Sequence, residues 1–165
     1  MKKLIFIRHG KAEDPAQEFP DFERSLTSKG KEISRQMALK LKEKEHDVGV
    51  IITSPAFRSI ETALIFAGVY GIPAEKIIIN SNCYFKIDQN SFMDILKSLK
   101  EDVNTITLFG HNPSFTDLVE LFARDFGEIL PKSGVICLSF KTKTWSGINH
   151  NEGNIDYFMK PKKVL

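Results

Sequence analysis

Leu4-Ile5-Phe6-Ile7-Arg8-His9-Gly10 is an apolar run of four that stops abruptly at an arginine, a histidine and a glycine. Four large apolar residues in a row lack the alternation of a half-exposed strand. They predict a short strand buried on both faces, the pattern of a central strand in a parallel sheet. Gly10 lets the backbone turn sharply after it. In open α/β sheets the ligand crevice lies beyond the carboxyl ends of such strands, which is where Arg8 and His9 fall. A surface Arg-His pair closing a strand fits these three residues too, so the rest of the chain has to decide.

Downstream, Lys11 to Arg24 is polar and irregular, with Glu13, Asp14, Pro15, Pro20 and Asp21, and reads as a loop forming one rim of the crevice. Thr27 is placed to cap a helix in which Ile33, Met37 and Leu41 recur at four-residue spacing. Val48 to Thr53 reads as a second buried strand, and Ser54-Pro55 as the start of a helix, serine capping and proline opening the first turn. Along that helix Ala56, Ile60, Ala63, Leu64 and Ala67 describe one apolar face and set Arg58 apart from it or on its edge. An arginine in the first turn opposes the helix dipole. It makes sense if guanidinium and dipole receive a shared phosphate; the alternative is a solvated arginine paired with Glu61.

Gly68, Gly71 and Pro73 end this helix, and Ile77 to Ile79 is a third short strand. Asn80 to Asn90 is a second polar loop, carrying Tyr84 and Phe85; Phe92, Ile95, Leu96 and Leu99 then mark a third helix. Thr105 to Phe109 is another buried strand, and it runs into Gly110-His111-Asn112-Pro113. The design of the first strand is thus repeated, with a histidine at a strand's carboxyl end. Asn112 is read as the cap of a helix opened by Pro113, its buried face being Phe115, Leu118, Val119 and Phe122. For His111 the plain alternative is a core imidazole satisfied by backbone groups. Val135 to Phe140 is the last core strand, and Ile155 to Met159 an edge strand closing a hairpin, before a basic tail from Lys160.

Alternating strands and helices, without repeats or a linker, predict one α/β domain over residues 1–165, a mostly parallel sheet with helices on both faces. With 42% hydrophobic residues in 165, the chain can bury a sizeable core. The net charge of +2 is close to neutral and nothing in the sequence resembles the basic stripe of a nucleic-acid binder, while local arginines can still hold an anion. The four-residue apolar run after Lys2 and Lys3 is too short for a signal core or a membrane span, so a cytoplasmic protein without membrane association is expected. Cys83 and Cys137 lack metal-ligand spacing and are read as free thiols.

Strand ends and helix starts therefore offer Arg8 with His9, Arg58, and His111. Guanidinium groups hold phosphate oxygens by two parallel hydrogen bonds and stay charged, while imidazole serves as nucleophile, donor or acid near neutrality. The arginines also disfavour protonation of a neighbouring imidazole. One histidine can then stay neutral and attack phosphorus, its ring oriented by a backbone acceptor.

Arg8-His9-Gly10, the segment Ser54-Pro55-Ala56-Phe57-Arg58-Ser59-Ile60-Glu61-Thr62-Ala63 and Gly110-His111-Asn112 resemble, in order, the motifs of the histidine phosphatase superfamily, also called phosphoglycerate-mutase-like. The short length and Asp21-Phe22-Glu23-Arg24-Ser25-Leu26-Thr27-Ser28-Lys29-Gly30 resemble its SixA-type phosphohistidine phosphatases. The resemblance implies that His9 is transiently phosphorylated while Arg8, Arg58 and His111 bind the phosphoryl group in transfer. It implies no metal and no cofactor, and the sequence shows no carboxylate cluster or spaced histidine pair for one. Its expected substrate is a phosphorylated protein of the histidine phosphotransfer type. Lys11, Arg24 and Asn112 are candidates to contact it.

One departure bears on the substrate. Larger members carry a glutamate as general acid after the third strand, where this chain has Asn80-Ser81-Asn82-Cys83-Tyr84-Phe85 and Asp88 as the nearest carboxylate. Glu13, Asp14 and Asp88 are the candidate proton donors, each also readable as a solvated loop acid. An alkoxide leaving group needs an acid more than the imidazole of a phosphoramidate does, so the missing glutamate favours cleavage of P–N over P–O bonds. Absence of a long insertion argues against the lid a mutase requires and leaves the pocket open to a protein. A phosphatase of small phosphate esters and a non-catalytic phosphate-binding domain are the competing expectations. His46 and His150 are read as surface residues.

Overall fold

β1 (Lys2–Arg8) lies inside a six-stranded sheet, with β4 (Thr105–Gly110) parallel on one side and β5 (Val135–Phe140) antiparallel on the other. The computed structural model describes residues 1–15 and 19–162; positions 16–18 of the rim loop and 163–165 of the basic tail lie outside it. The strand order is β3-β2-β4-β1-β5-β6, with β2 (Val50–Thr53) and β3 (Ile78–Ile79) continuing the parallel half and β6 (Asn154–Met159) closing an antiparallel hairpin with β5. The sheet is thus mostly parallel, as expected, although β1 marks the line where the parallel half meets the antiparallel one.

Leu4, Ile5, Phe6 and Ile7 are all fully buried, each contributing roughly 1.5–3 kcal/mol of side-chain burial. Leu4 and Phe6 enter the core on one face, Ile5 and Ile7 the core on the other. A double-faced strand of this kind needs helices above and below. α1 (Ser28–Lys44) and α2 (Phe57–Tyr70) supply one cover through Met37, Ala38, Leu41, Ala63, Phe66 and Ala67. α3 (Gln89–Lys97) and α4 (Ser114–Phe122) supply the other, through Phe92, Ile95, Leu96, Phe115, Leu118 and Phe122. Thr27 caps α1 as expected, its hydroxyl accepting from the Gly30 N–H at 2.9 Å. Among the described residues no helix is long and apolar enough to cross a membrane.

Two helix starts differ from expectation. α2 begins at Phe57 without a side-chain cap: the Ser54 hydroxyl accepts from the N–H of Ala56, the residue before the helix, and lies beside His111 in the crevice. The helix is also rotated: Leu64 is 42% exposed, while Arg58, Ser59 and Thr62 are buried. Polar residues take the inward face because it looks onto the strand ends, where they find partners. α4 likewise starts at Ser114, after Pro113, and Asn112 is not its cap residue. The Asn112 carboxamide oxygen still reaches the first turn, accepting from the Thr116 N–H at 3.4 Å and from the Thr116 hydroxyl at 3.0 Å, while its amide donates to the Leu130 carbonyl at 2.9 Å.

Candidate active site

Strand register alone brings the two histidines together. Arg8 is paired with Gly110 across β1 and β4, so the next residues, His9 and His111, leave the sheet side by side. The His9 N–H donates to the Gly110 carbonyl at 3.0 Å, and the two rings lie 5.1 Å apart, tilted by 55°. β2 ends one strand further over, with Thr53 opposite Phe109, which sets Ser54 beside the same point. A cavity of about 510 Å³ opens there, lined by Arg8, His9, Arg24, Arg58, His111 and Asn112 among others.

His9 is 8% exposed, and its Nδ1 sits 2.7 Å from the Gly10 carbonyl oxygen. A carbonyl can only accept, so Nδ1 carries the proton and Nε2 is left with its lone pair. Burial pushes the imidazole down to about 3, and the charges of His111, Arg58 and Arg8 act in the same direction. His9 is therefore a neutral ring of fixed tautomer. Gly10 is packed to the limit: a β-carbon on it would lie 2.5 Å from the Ser34 hydroxyl and 3.1 Å from the Gly30 carbonyl. Its N–H donates to the Thr62 hydroxyl at 3.0 Å, which in turn donates to the Arg58 carbonyl at 2.7 Å. One chain of hydrogen bonds thus ties the turn after β1 to the first turns of α2.

His111 is pushed to about 4, by burial first and then by Arg58. Its Nε2 lies 2.7 Å from the Ser54 hydroxyl, which also accepts from the Ala56 N–H at 3.2 Å. The assignment that uses every atom has the hydroxyl donating to Nε2, which places the ring proton on Nδ1. That Nδ1 is buried and without a partner. The Nε atoms of Arg8 and Arg58 share this condition. Buried polar nitrogens normally find a partner, and three orphans around one cavity with two guanidinium groups describe a cradle for an oxyanion. Burial also pulls the Arg8 guanidinium down from its ordinary value, a cost that an anion would offset.

Arg58 is 6% exposed and does not pair with Glu61, whose carboxylate instead accepts from the Leu26 N–H. Its two terminal nitrogens donate to Asp21, to the backbone carbonyl at 2.7 Å and to the carboxylate at 2.9 Å. Asp21 stands in a 3-10 turn (Asp21–Glu23) of the rim loop, where it also receives Arg24 and the Tyr84 hydroxyl. Burial raises its pKa, but the bonds from Arg24, Arg58 and Tyr84 outweigh that and leave it at about 2. Phe22 extends the seam, its ring 5.7 Å from Phe57 and 5.6 Å from Tyr84.

Ser54, Thr62, Asp21 and Tyr84 were not singled out as site residues by sequence reasoning. The Asp21 to Arg24 spacing, within the segment that resembles SixA-type chains, was the available signal. For the others it was only their neighbourhood to Arg58 and to the polar loop. Among the sequence-based candidates, Arg24 and Asn112 line the cavity and Lys11 does not. Neither Glu13 nor Asp14 lines it, and Asp88 does not either: its carboxylate caps α3, accepting from the Ser91 N–H and hydroxyl at 2.9 Å each. Those bonds hold Asp88 below the usual carboxylate range, the opposite of what a proton donor needs. Among the described residues no carboxylate lines the cavity. Cys83 and Cys137 are unpaired and buried, and burial raises both thiols to about 12.

Residues 4–78 match the Histidine phosphatase superfamily (branch 1). No curated protein matches the chain. The structure of the protein histidine phosphatase SixA complexed with tungstate superposes with a TM-score of 0.80 at 23% identity, over 96% of this chain and 97% of the other. SixA of Agrobacterium tumefaciens gives 0.79 at 20% identity, over 98% and 99%. Phosphoserine phosphatase from Entamoeba histolytica, in complex with 3-phosphoglyceric acid, gives 0.65 at 18% identity, over 98% of each chain. These likenesses span nearly all of the chain and establish the phosphoglycerate-mutase-like fold.

Proposed function

With sequence and fold both matching the histidine phosphatase superfamily, we propose that this protein is a phosphatase that removes the phosphoryl group from phosphohistidine on a protein, by way of a phosphorylated His9. The observation that carries the reading is the His9 ring, buried, neutral and committed through Nδ1 to the Gly10 carbonyl. Its Nε2 lone pair attacks phosphorus in line. The P–N bond of the substrate breaks as the new one forms, and the departing imidazole takes its proton from water or retains one it already carries. Water then attacks the phosphorus on His9, the His9–P bond breaks, and inorganic phosphate leaves.

Arg8, Arg58 and the His111 Nδ1–H face the phosphoryl oxygens in both steps. Catalysis of phosphoryl transfer is chiefly positioning and charge stabilisation, which fixed cations and a fixed donor provide without reorganisation. Binding alone would require no free nucleophilic nitrogen at this point. The choice of P–N over P–O bonds is supported by the proton donors: Asp21, the carboxylate tied to Arg58, is held ionised, and Asp88 is spent on a helix cap. The guanidinium groups bring the positive charge that a metal would otherwise supply, and among the described residues no set of three His, Cys, Asp or Glu is placed to hold an ion. A protein substrate of the histidine phosphotransfer type, met in the cytoplasm, fits an open cavity of this kind.

The test is hydrolysis of a phosphohistidine-bearing protein against p-nitrophenyl phosphate and a sugar phosphate, with chelator present and His9→Ala alongside. Turnover of the phosphoprotein that ignores chelator and vanishes in His9→Ala is the expected result. Preference for the esters would overturn the substrate reading, and dependence on a metal would overturn the mechanism.

A further inference from the structure

Phe85 breaks two rules at once. Its φ is 60°, in the left-handed region that aromatic residues avoid, and its side chain is 67% exposed at the mouth of the cavity. Neither backbone nor burial favours a phenylalanine there. The loop is nonetheless held firmly: Cys83 and Ile87 on either side are buried in the core. Between them the Ser114 hydroxyl donates to the Phe85 carbonyl at 2.8 Å and accepts from the Ile87 N–H at 3.0 Å. The ring is thus thrust outward, braced against Tyr84 with centroids 4.3 Å apart. Strain that the surroundings maintain at a site is an argument for use.

Lys86 follows Phe85 at the same mouth, and Lys132 also lines it. Lys132 stands on a segment bolted to the nucleophile's own strand. Arg8 donates to the Leu130 carbonyl at 3.1 Å, and the Ser133 N–H donates to the Arg8 and His9 carbonyls. Both lysines are exposed, and neither forms an ion pair among the described residues. The inner cations face the phosphoryl group and Asp21, so these two meet whatever surrounds it.

We propose that Phe85, Lys86 and Lys132 form a docking edge for the substrate protein, recognising a surface on which carboxylates and an apolar patch border the phosphorylated side chain. The proposal rests on the phosphatase reading. A small phosphoramidate needs only the inner cradle of Arg8, Arg58 and His111, whereas a protein must also lie across the exposed residues that line the outer part of the same cavity. Complementary charge at such a rim acts mainly on encounter, so its effect belongs in KM and weakens with salt.

The experiment compares kcat/KM for a phosphorylated histidine-phosphotransfer protein with kcat/KM for phosphoramidate, in the wild type, in Lys86→Glu/Lys132→Glu, and in Phe85→Asn, which suits the left-handed backbone. The expected result is a protein-to-phosphoramidate ratio lower by about tenfold or more in the double lysine variant, with a flatter salt dependence, and lower in Phe85→Asn. A ratio unchanged within about twofold in both variants, while both substrates are still turned over, overturns the docking edge and leaves the phosphatase standing. Wild-type protein that turns over neither substrate overturns the phosphatase reading, and the docking edge falls with it.

Discussion

Asp21 accepts both terminal nitrogens of Arg58, one at its carboxylate, 2.9 Å away, and one at its backbone carbonyl, 2.7 Å away. The guanidinium plane is therefore fixed before any substrate arrives, and only Nε is left without a partner. Asp21→Ala removes one of the two acceptors and frees the rim turn from Arg24 and Tyr84 as well. We expect kcat to fall by about 10- to 100-fold, the scale of a misplaced catalytic group, with Asp21→Asn retaining much more because the amide oxygen still accepts. Steady-state kinetics on a phosphohistidine protein checks this. An undiminished kcat in Asp21→Ala would show that Arg58 keeps its place unaided.

Ser54 governs which nitrogen of His111 carries the proton. Its hydroxyl lies 2.7 Å from Nε2, leaving the proton on Nδ1, a buried nitrogen without a partner. Without the hydroxyl the ring is free to shift its proton to Nε2, which takes the donor away from the phosphoryl group. Ser54→Ala is expected to lower kcat by about tenfold or more with a smaller change in KM, the cost of losing one oriented donor. The distinguishing readout is the 15N chemical shift pattern of the His111 ring, which should report the Nδ1–H tautomer in the wild type and a mixture in the variant. An unchanged tautomer would remove Ser54 from this role.

Both buried imidazoles couple folding to pH. An unfolded histidine has its ordinary value near 6.5, whereas burial pushes His111 down to about 4 and His9 down to about 3 in the folded chain. Between those limits the unfolded state binds more protons, so stability declines as pH falls from 6.5 toward 3. Asp21 acts lower down: its contribution is in place above 3.8 and is lost as pH falls through about 2. Urea midpoints should therefore drop between about pH 7.5 and 5, and drop less in His9→Gln, which has one fewer imidazole to protonate. An equal drop in both proteins would contradict the burial of a neutral His9.

Periodicity made most of the fold legible. The run Leu4 to Ile7, the spacing of Met37 and Leu41, and Phe115 with Leu118, Val119 and Phe122 each name the side they bury, because apolar area dominates those elements. It failed on α2, where Arg58, Ser59 and Thr62 displace Ile60 and Leu64 from the inward face to serve the site. It also gave no hint that Lys2 is fully buried, its amine received by the Glu101 and Val103 carbonyls at 2.6 and 2.7 Å. In the site, Arg8, His9, Arg58 and His111 stood out not one by one, since each had a plain structural reading, but together, at strand ends and a helix start and in the order of the family's motifs. Ser54 and Asp21 did not, since a serine before proline looks like a cap and an aspartate in a loop looks solvated. Their partners lie 57 and 37 residues away in sequence: the register of β2 and β4 brings Ser54 to His111, and the packing of the rim turn on α2 brings Asp21 to Arg58.

The central claim is that the Nε2 of His9 takes the phosphoryl group, and the most direct measurement is to catch it there. The protein is mixed with phosphoramidate, quenched in alkali within the first turnover, and its peptides are mapped by mass spectrometry. The account predicts one phosphoryl group on the peptide holding Arg8-His9-Gly10, assigned to His9 and absent from His9→Ala. Turnover without label on His9, or label that persists elsewhere in His9→Ala, would contradict it.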